Sequence, residues 1–174
     1  MKAQKPQKRA RIRSIVTALA LAAAPGAVVM GTAGDAFAVT KISHSTATSM
    51  FRNVGITWSS SGGCSDRNNP TCTSFEQLNL ATAQGAQTLK SASGCGLNIT
   101  GGTETGHASG TYSHWNGYKL DFGKSTCLTN YIKGNFAYAG VRGDGAPMYK
   151  SGSGNIYADE GNHWDVLYYN CGGC

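Results

Sequence analysis

Gly106–Asp121 reads GHASGTYSHWNGYKLD, and Glu160–Asp165 reads EGNHWD. Three of the chain's four histidines, His107, His114 and His163, fall in these two segments. His114 and Asp121 stand seven residues apart, with Gly117 between them as a turn point. After the glycine, Tyr118-Lys119-Leu120-Asp121-Phe122 alternates in the manner of a strand. A His before a tight turn and an Asp on the strand that leaves it can converge on one point. His163 opens a second strand-like run, Trp164 to Tyr169, and a neighbouring strand would bring it in as a third ligand. Catalytic zinc commonly takes three protein N/O ligands and leaves a position for water. Glu160, three residues before His163, is a carboxylate able to take a proton from that water.

Ser113-His114-Trp115-Asn116-Gly117-Tyr118-Lys119-Leu120-Asp121, followed by Glu160-Gly161-Asn162-His163, resembles the zinc D-alanyl-D-alanine peptidase family, which shares its fold with the hedgehog signalling domain. That signature is Ser-x-His-x-x-Gly-x-Ala-x-Asp, then Glu-x-x-His. The resemblance spans Ile99 to Tyr168. It implies that His114, Asp121 and His163 hold zinc and that Glu160 is the catalytic base. Three positions depart from the pattern. Tyr112 stands where the family has its Ser, Lys119 replaces a small Ala, and Glu104 stands near where many members carry an Arg upstream of the first ligand. That Arg is expected to polarise the scissile carbonyl or hold a substrate carboxylate. His107 as an electrophile, or Arg142 from a loop, are the candidates for its role. Asp165 or Asp159 could steady a ligand His through its other ring nitrogen.

The remaining sequence sets the compartment. Residues 1–38 have a basic start (Lys2 to Arg13), an apolar stretch from Ile15 to Val29 interrupted by Pro25, and Ala36-Phe37-Ala38 as a cleavage site. This reads as an export signal, since the unbroken apolar run is short of the about 20 residues a spanning helix needs. Of 15 basic and 9 acidic residues, six basic and one acidic fall in this segment, so residues 39–174 carry 9 and 8, net +1. The basic balance of the whole chain is therefore no argument for nucleic-acid binding. All six cysteines follow the signal, and an even count in an exported chain reads as disulfides. Cys64 and Cys72 flank a polar loop and are the first expected pair. Cys171-Gly-Gly-Cys174 reads as structural rather than redox.

Residues 39–174 are expected to form one secreted, disulfide-bonded α+β domain, a small antiparallel sheet braced by a helix with a metal on one face. Val39 to Met50 reads as an extended lead-in and Val54 to Ser59 as a first strand. Thr73 with Glu76 reads as a capping box opening a helix that Gly94 closes. Cys95 to Thr100 reads as a strand, and Cys127 to Ile132 leans to helix. Phe136 to Val141 and Pro147 to Lys150 read as the strands of a hairpin. The function expected is that of a monomeric zinc peptidase acting on peptidoglycan stem peptides, free of the membrane once the signal is cut. Two alternatives stand beside it: a metal-binding interaction module without turnover, and a metal-free Cys-His hydrolase, which requires a free thiol near a His.

Overall fold

The computed structural model describes residues 39–169. Residues 1–38, expected to be an export signal, and Cys171 and Cys174 lie outside the described residues. The elements in chain order are β1 (Lys41–Ile42), α1 (His44–Asn53), β2 (Thr57–Trp58), β3 (Leu78–Asn79), α2 (Leu80–Ser93), β4 (Asn98–Gly101) and β5 (Lys119–Gly123). After these come α3 (Thr126–Asn135), β6 (Ala137–Val141), β7 (Pro147–Lys150), β8 (Ile156–Asp159) and β9 (His163–Leu167). The architecture is α+β. A seven-stranded sheet runs β2-β4-β5-β9-β8-β7-β6, and β1 and β3 form a two-stranded antiparallel sheet. The large sheet is mixed rather than purely antiparallel, because β2 runs parallel to β4.

Alternation along β5 and β9 divides the sheet into two faces. Leu120, Phe122, Trp164 and Val166 are fully buried and join the core with Phe51 of α1, Leu89 of α2, and Leu128 and Ile132 of α3. Gly85 of α2 leaves no room for a Cβ because the Tyr168 ring lies against it, so a glycine lets the helix approach the end of β9 closely. The residues between, Asp121 and Asp165, face the other side and are register partners across β5 and β9.

Several local expectations are corrected. Residues 44–50 of the expected extended lead-in belong to the helix α1, while the expected first strand at Val54–Ser59 contains the short β2. Ser43 caps α1 by accepting from Thr46 N, and the Glu76 carboxylate takes the His44 amide at 2.9 Å. Only Ala47, Thr48 and Phe51 of α1 are buried, too few to show a periodic stripe in a Ser/Thr-rich stretch. The Thr73 capping box does not form. The Thr73 hydroxyl donates to Ser59 O and Thr100 O, Glu76 is spent on α1, and Gln77 adopts φ +62°. Phe75 and Leu78 are core residues all the same, but α2 begins only at Leu80. It ends as expected at Gly94 in the left-handed conformation, whose N–H donates to Lys90 O.

The expected helix near Cys127 is α3, capped by Ser125, and the expected hairpin is β6–β7. Cys64–Cys72 is bonded, and a second bridge joins Cys95 to Cys127. Two formed disulfides fit an oxidising, extracellular-type environment. No described helix is long and apolar enough to cross a membrane.

Candidate metal centre

The site is built on the sheet face opposite the helices, with Asp121 at its centre. Gly117 takes φ +76°, and a Cβ there would lie 2.5 Å from Gln77 O, so only glycine makes this turn. Gly117 N donates to His114 O at 2.7 Å, and Gly117 O accepts from Asn79 N and the Thr82 hydroxyl. The turn is thereby fixed to α2, and it delivers His114 and β5 to the same place. Gly101 of β4 pairs with Asp121 and leaves space for its carboxylate, because a Cβ at Gly101 would collide with Asp121 Oδ2.

Each histidine is held through one nitrogen. A carbonyl only accepts, so the His114 Nδ1 that lies 2.7 Å from Gly102 O carries the proton. Its Nε2 then faces Asp121 Oδ1 at 3.3 Å and Asp165 Oδ1 at 3.6 Å. His163 Nδ1 lies 2.7 Å from Asn162 Oδ1, and its Nε2 is 3.6 Å from Asp121 Oδ1 and 3.2 Å from Glu160 Oε2. His107 Nε2 meets Glu104 Oε1 at 3.2 Å, and its Nδ1 faces Asp121 Oδ2 at 3.8 Å. Glu104 is buried and accepts from the Ser74 and Gly102 amides. Burial would raise its pKa, but the bonds from His107 and the two amides outweigh this and lower it.

Two buried carboxylate oxygens, Asp121 Oδ1 and Asp165 Oδ1, have no hydrogen-bond partner. The two side chains also oppose each other directly across the β5–β9 ladder, an arrangement that is destabilising for like charges. Such a pair calls for a cation between its members. In the protein alone that cation is His114. Burial pulls its pKa down, but Asp121 and Asp165 more than reverse this and raise it to about 10. Burial likewise opposes the charge on Asp165, yet His114 and Lys119 hold its carboxyl far below the usual carboxylate range. A metal ion answers the same demand, and the donor set of imidazole and carboxylate suits one. His107, His114 and Asp121 have ligand atoms within 4.8 Å of one another and form a group that could hold a metal ion.

All five candidate site residues, Glu160, His107, His114, Asp121 and His163, line one cavity of about 540 Å³. Arg142 also lines it, reaching in from the turn between β6 and β7. Its guanidinium bonds to Asp144, to Asp165 Oδ2 at 2.7 Å and to Glu160 Oε1. Asp159 does not steady a histidine; it pairs with Lys124 and Lys133. Asp165 does not hold the outer nitrogen of a ligand, since it faces the same Nε2 of His114 that Asp121 faces. The outer nitrogens of His114 and His163 belong instead to Gly102 O and Asn162. Glu104 is the residue of the candidate site that the sequence reading missed. The signal was present: Glu104-x-x-His107 repeats the spacing of Glu160-x-x-His163.

No protein-family model, curated protein or solved structure matches the chain.

Proposed function

We propose that the protein is a secreted zinc-dependent peptidase whose substrates include peptidoglycan stem peptides. The observation that carries this reading is the convergence of Nε2 of His114 and Nε2 of His163 on the unpartnered Oδ1 of Asp121, with Glu160 beside them. The imidazole–carboxylate set fits zinc by ligand type. The His107 and His114 rings are stacked, with centroids 3.8 Å apart and planes tilted by 14°. A ring's lone pair lies in the ring plane, so two rings in this arrangement do not aim at one nearby ion. This favours His114, Asp121 and His163 as the ligands and leaves His107 to the substrate side.

Zinc held by His114, Asp121 and His163 would supply a water of lowered pKa and would polarise a carbonyl. Glu160 Oε2 takes the proton of the attacking water and returns it to the leaving amine, one carboxylate serving as base and then acid. Arg142 anchors the other oxygen of Glu160 and so fixes the carboxylate's direction. His107, held at Nε2 by the Glu104 carboxylate, presents Nδ1 beside Asp121 and is the group placed to meet a substrate carbonyl.

The test is zinc content and stem-peptide hydrolysis by the protein without residues 1–38, beside Glu160→Gln. One zinc per chain in both, with hydrolysis lost about 10²–10⁴-fold in the variant, supports the reading. Zinc with no turnover in either favours the second reading, a metal-binding interaction module. One observation points that way: both oxygens of Glu160 are engaged, by Arg142 and His163. A Cys-His hydrolase gains no support, since no free cysteine exists among the described residues.

A further inference from the structure

The cavity at the candidate centre does not stand alone. It shares Gly106, His107 and Ala108 with a hollow of about 270 Å³ bordered by Trp115 and Asn116. On its other side it shares Lys119, Arg142 and Asp165 with a hollow of about 160 Å³ floored by Met148, Ile156 and Leu167. The three hollows therefore adjoin one another along one surface, the central one flanked by the other two.

The charges along this cleft are unevenly matched. Five carboxylates line it: Glu104, Asp121, Asp144, Glu160 and Asp165. Lys119 and Arg142 are the two Lys or Arg residues that line it, and both are already committed. Lys119 Nζ lies 2.6 Å from Asp165 Oδ2. Arg142 donates from Nε and Nη2 to Asp144, from Nη1 to Asp165, and from Nη2 to Glu160. A guanidinium has five N–H donors, so these bonds leave it one. A doubly charged ion at the centre still leaves the lining with one negative charge in excess. A free carboxylate next to the scissile bond would find no unpaired cation and would face repulsion in a partly dehydrated cleft.

We propose, on the peptidase reading above, that the cleft binds a peptide passing through it and cuts an internal bond flanked by neutral or cationic residues, discriminating against a free terminal carboxylate or acidic side chain beside that bond. The half-buried floor of Met148, Ile156 and Leu167 takes an apolar side chain on one side of the bond. Selection of this kind has two sources. Hollows adjoining the centre on two sides give room for chain on both sides of the bond, and the acidic lining sets which chains are admitted.

The experiment compares four N-acetylated peptides of one apolar sequence with the zinc-loaded protein. One ends in a free carboxylate directly after the residue following the scissile bond, and a second is its amide. The third and fourth extend the chain by Lys-amide and Glu-amide. The amide is expected to exceed the free acid, and Lys to exceed Glu, by about tenfold in kcat/KM, with both ratios shrinking as salt is raised. A free acid cut as well as or better than its amide overturns the inference, as does a preference that salt leaves unchanged. If nothing is cut, fluorescence anisotropy on the same labelled peptides separates the two claims. Selective binding of the amide and Lys forms keeps the charge selection and sinks turnover. Absence of binding, or equal binding of all four, sinks the selection.

Discussion

Gly101→Ala removes no ligand, yet it is expected to dismantle the centre. Gly101 sits on β4 opposite Asp121 and is not in the left-handed region, so its backbone accepts alanine. The cost falls on the neighbour. A Cβ there would stand well inside 3.0 Å of Asp121 Oδ2, a separation that real Cβ atoms do not adopt, and 3.2 Å from Asp121 Cβ. The carboxylate must therefore retreat by about 1 Å to reach ordinary contact, a displacement of the size that costs about 10²-fold at a catalytic site. Substitutions that disturb the support of a metal ligand typically lower affinity about 10- to 100-fold, equivalent to about 1.4–2.8 kcal/mol. Overpacking adds about 1–3 kcal/mol of destabilisation to the metal-free fold. The assay is zinc affinity by competition with a chromophoric chelator, beside a thermal melt of the metal-free protein. Gly123→Ala is the control, since its Cβ would make an ordinary 3.5 Å contact with Thr100 Cγ2. A folded Gly101→Ala protein that binds zinc within twofold of the parent would refute the placement of Asp121 as a ligand.

The two flanking histidines are expected to part company. His163→Ala loses tight zinc, whereas His107→Ala keeps it and loses about 10²–10⁴-fold in hydrolysis; the opposite result in metal analysis would move the ligand set to His107, His114 and Asp121. Zinc binding at pH 8 is expected to release a proton. In the metal-free protein His114 is raised from 6.5 to about 10, so at pH 8 it still holds a proton that ligation through Nε2 must displace. Calorimetric heats should then vary with the ionisation enthalpy of the buffer, and buffer-independent heats would contradict it. The same shift has a definite sign for stability. A raised pKa contributes fully below 6.5 and is lost as pH climbs through about 10, so the metal-free protein should melt lower at pH 10 than at pH 6. Removing Cys95–Cys127, which closes a separation of 32 residues, should cost about 3–4 kcal/mol, against about 2.5 kcal/mol for Cys64–Cys72 with a separation of 8. Urea midpoints of the paired Ser variants measure both, and the reverse order would contradict the loop-length argument.

What was legible in the sequence was what short-range geometry decides. Gly117 between His114 and Asp121 is a local device, and the left-handed turn there brings both to one point whatever the rest of the chain does. Gly94 after α2 belongs to the same kind, since a C-terminal cap needs only its own helix. The Thr73–Glu76 box shows the limit. Its residue types suit a helix start, but Thr73 is claimed by carbonyls of Ser59 and Thr100 and Glu76 by the first amide of α1. Propensity yields wherever distant backbone groups would otherwise be left without partners.

The candidate metal centre divides along the same line. Pairwise spacing reveals Asp121 as a ligand candidate, but what surrounds Asp121 depends on strand register. Asp165 faces it because β9 pairs with β5 at one register and not at a neighbouring one; a shift of one residue would turn Asp165 into the core and Val166 toward the site. Gly101 and Gly102 read as the end of a strand. In the fold Gly101 is the space that Asp121 occupies, while Gly102 supplies the carbonyl that orients His114 and an amide for Glu104. Neither role has a local signature, since each is defined by a side chain from elsewhere in the chain. Glu104 is the instructive case. By position it stands where the resemblance leads one to expect an arginine. Buried behind His107 and holding its outer nitrogen, it supplies orientation rather than positive charge. A site so rebuilt has carboxylates where a carboxylate-binding site would need cations, and the same substitution adds to the excess negative charge of the cleft.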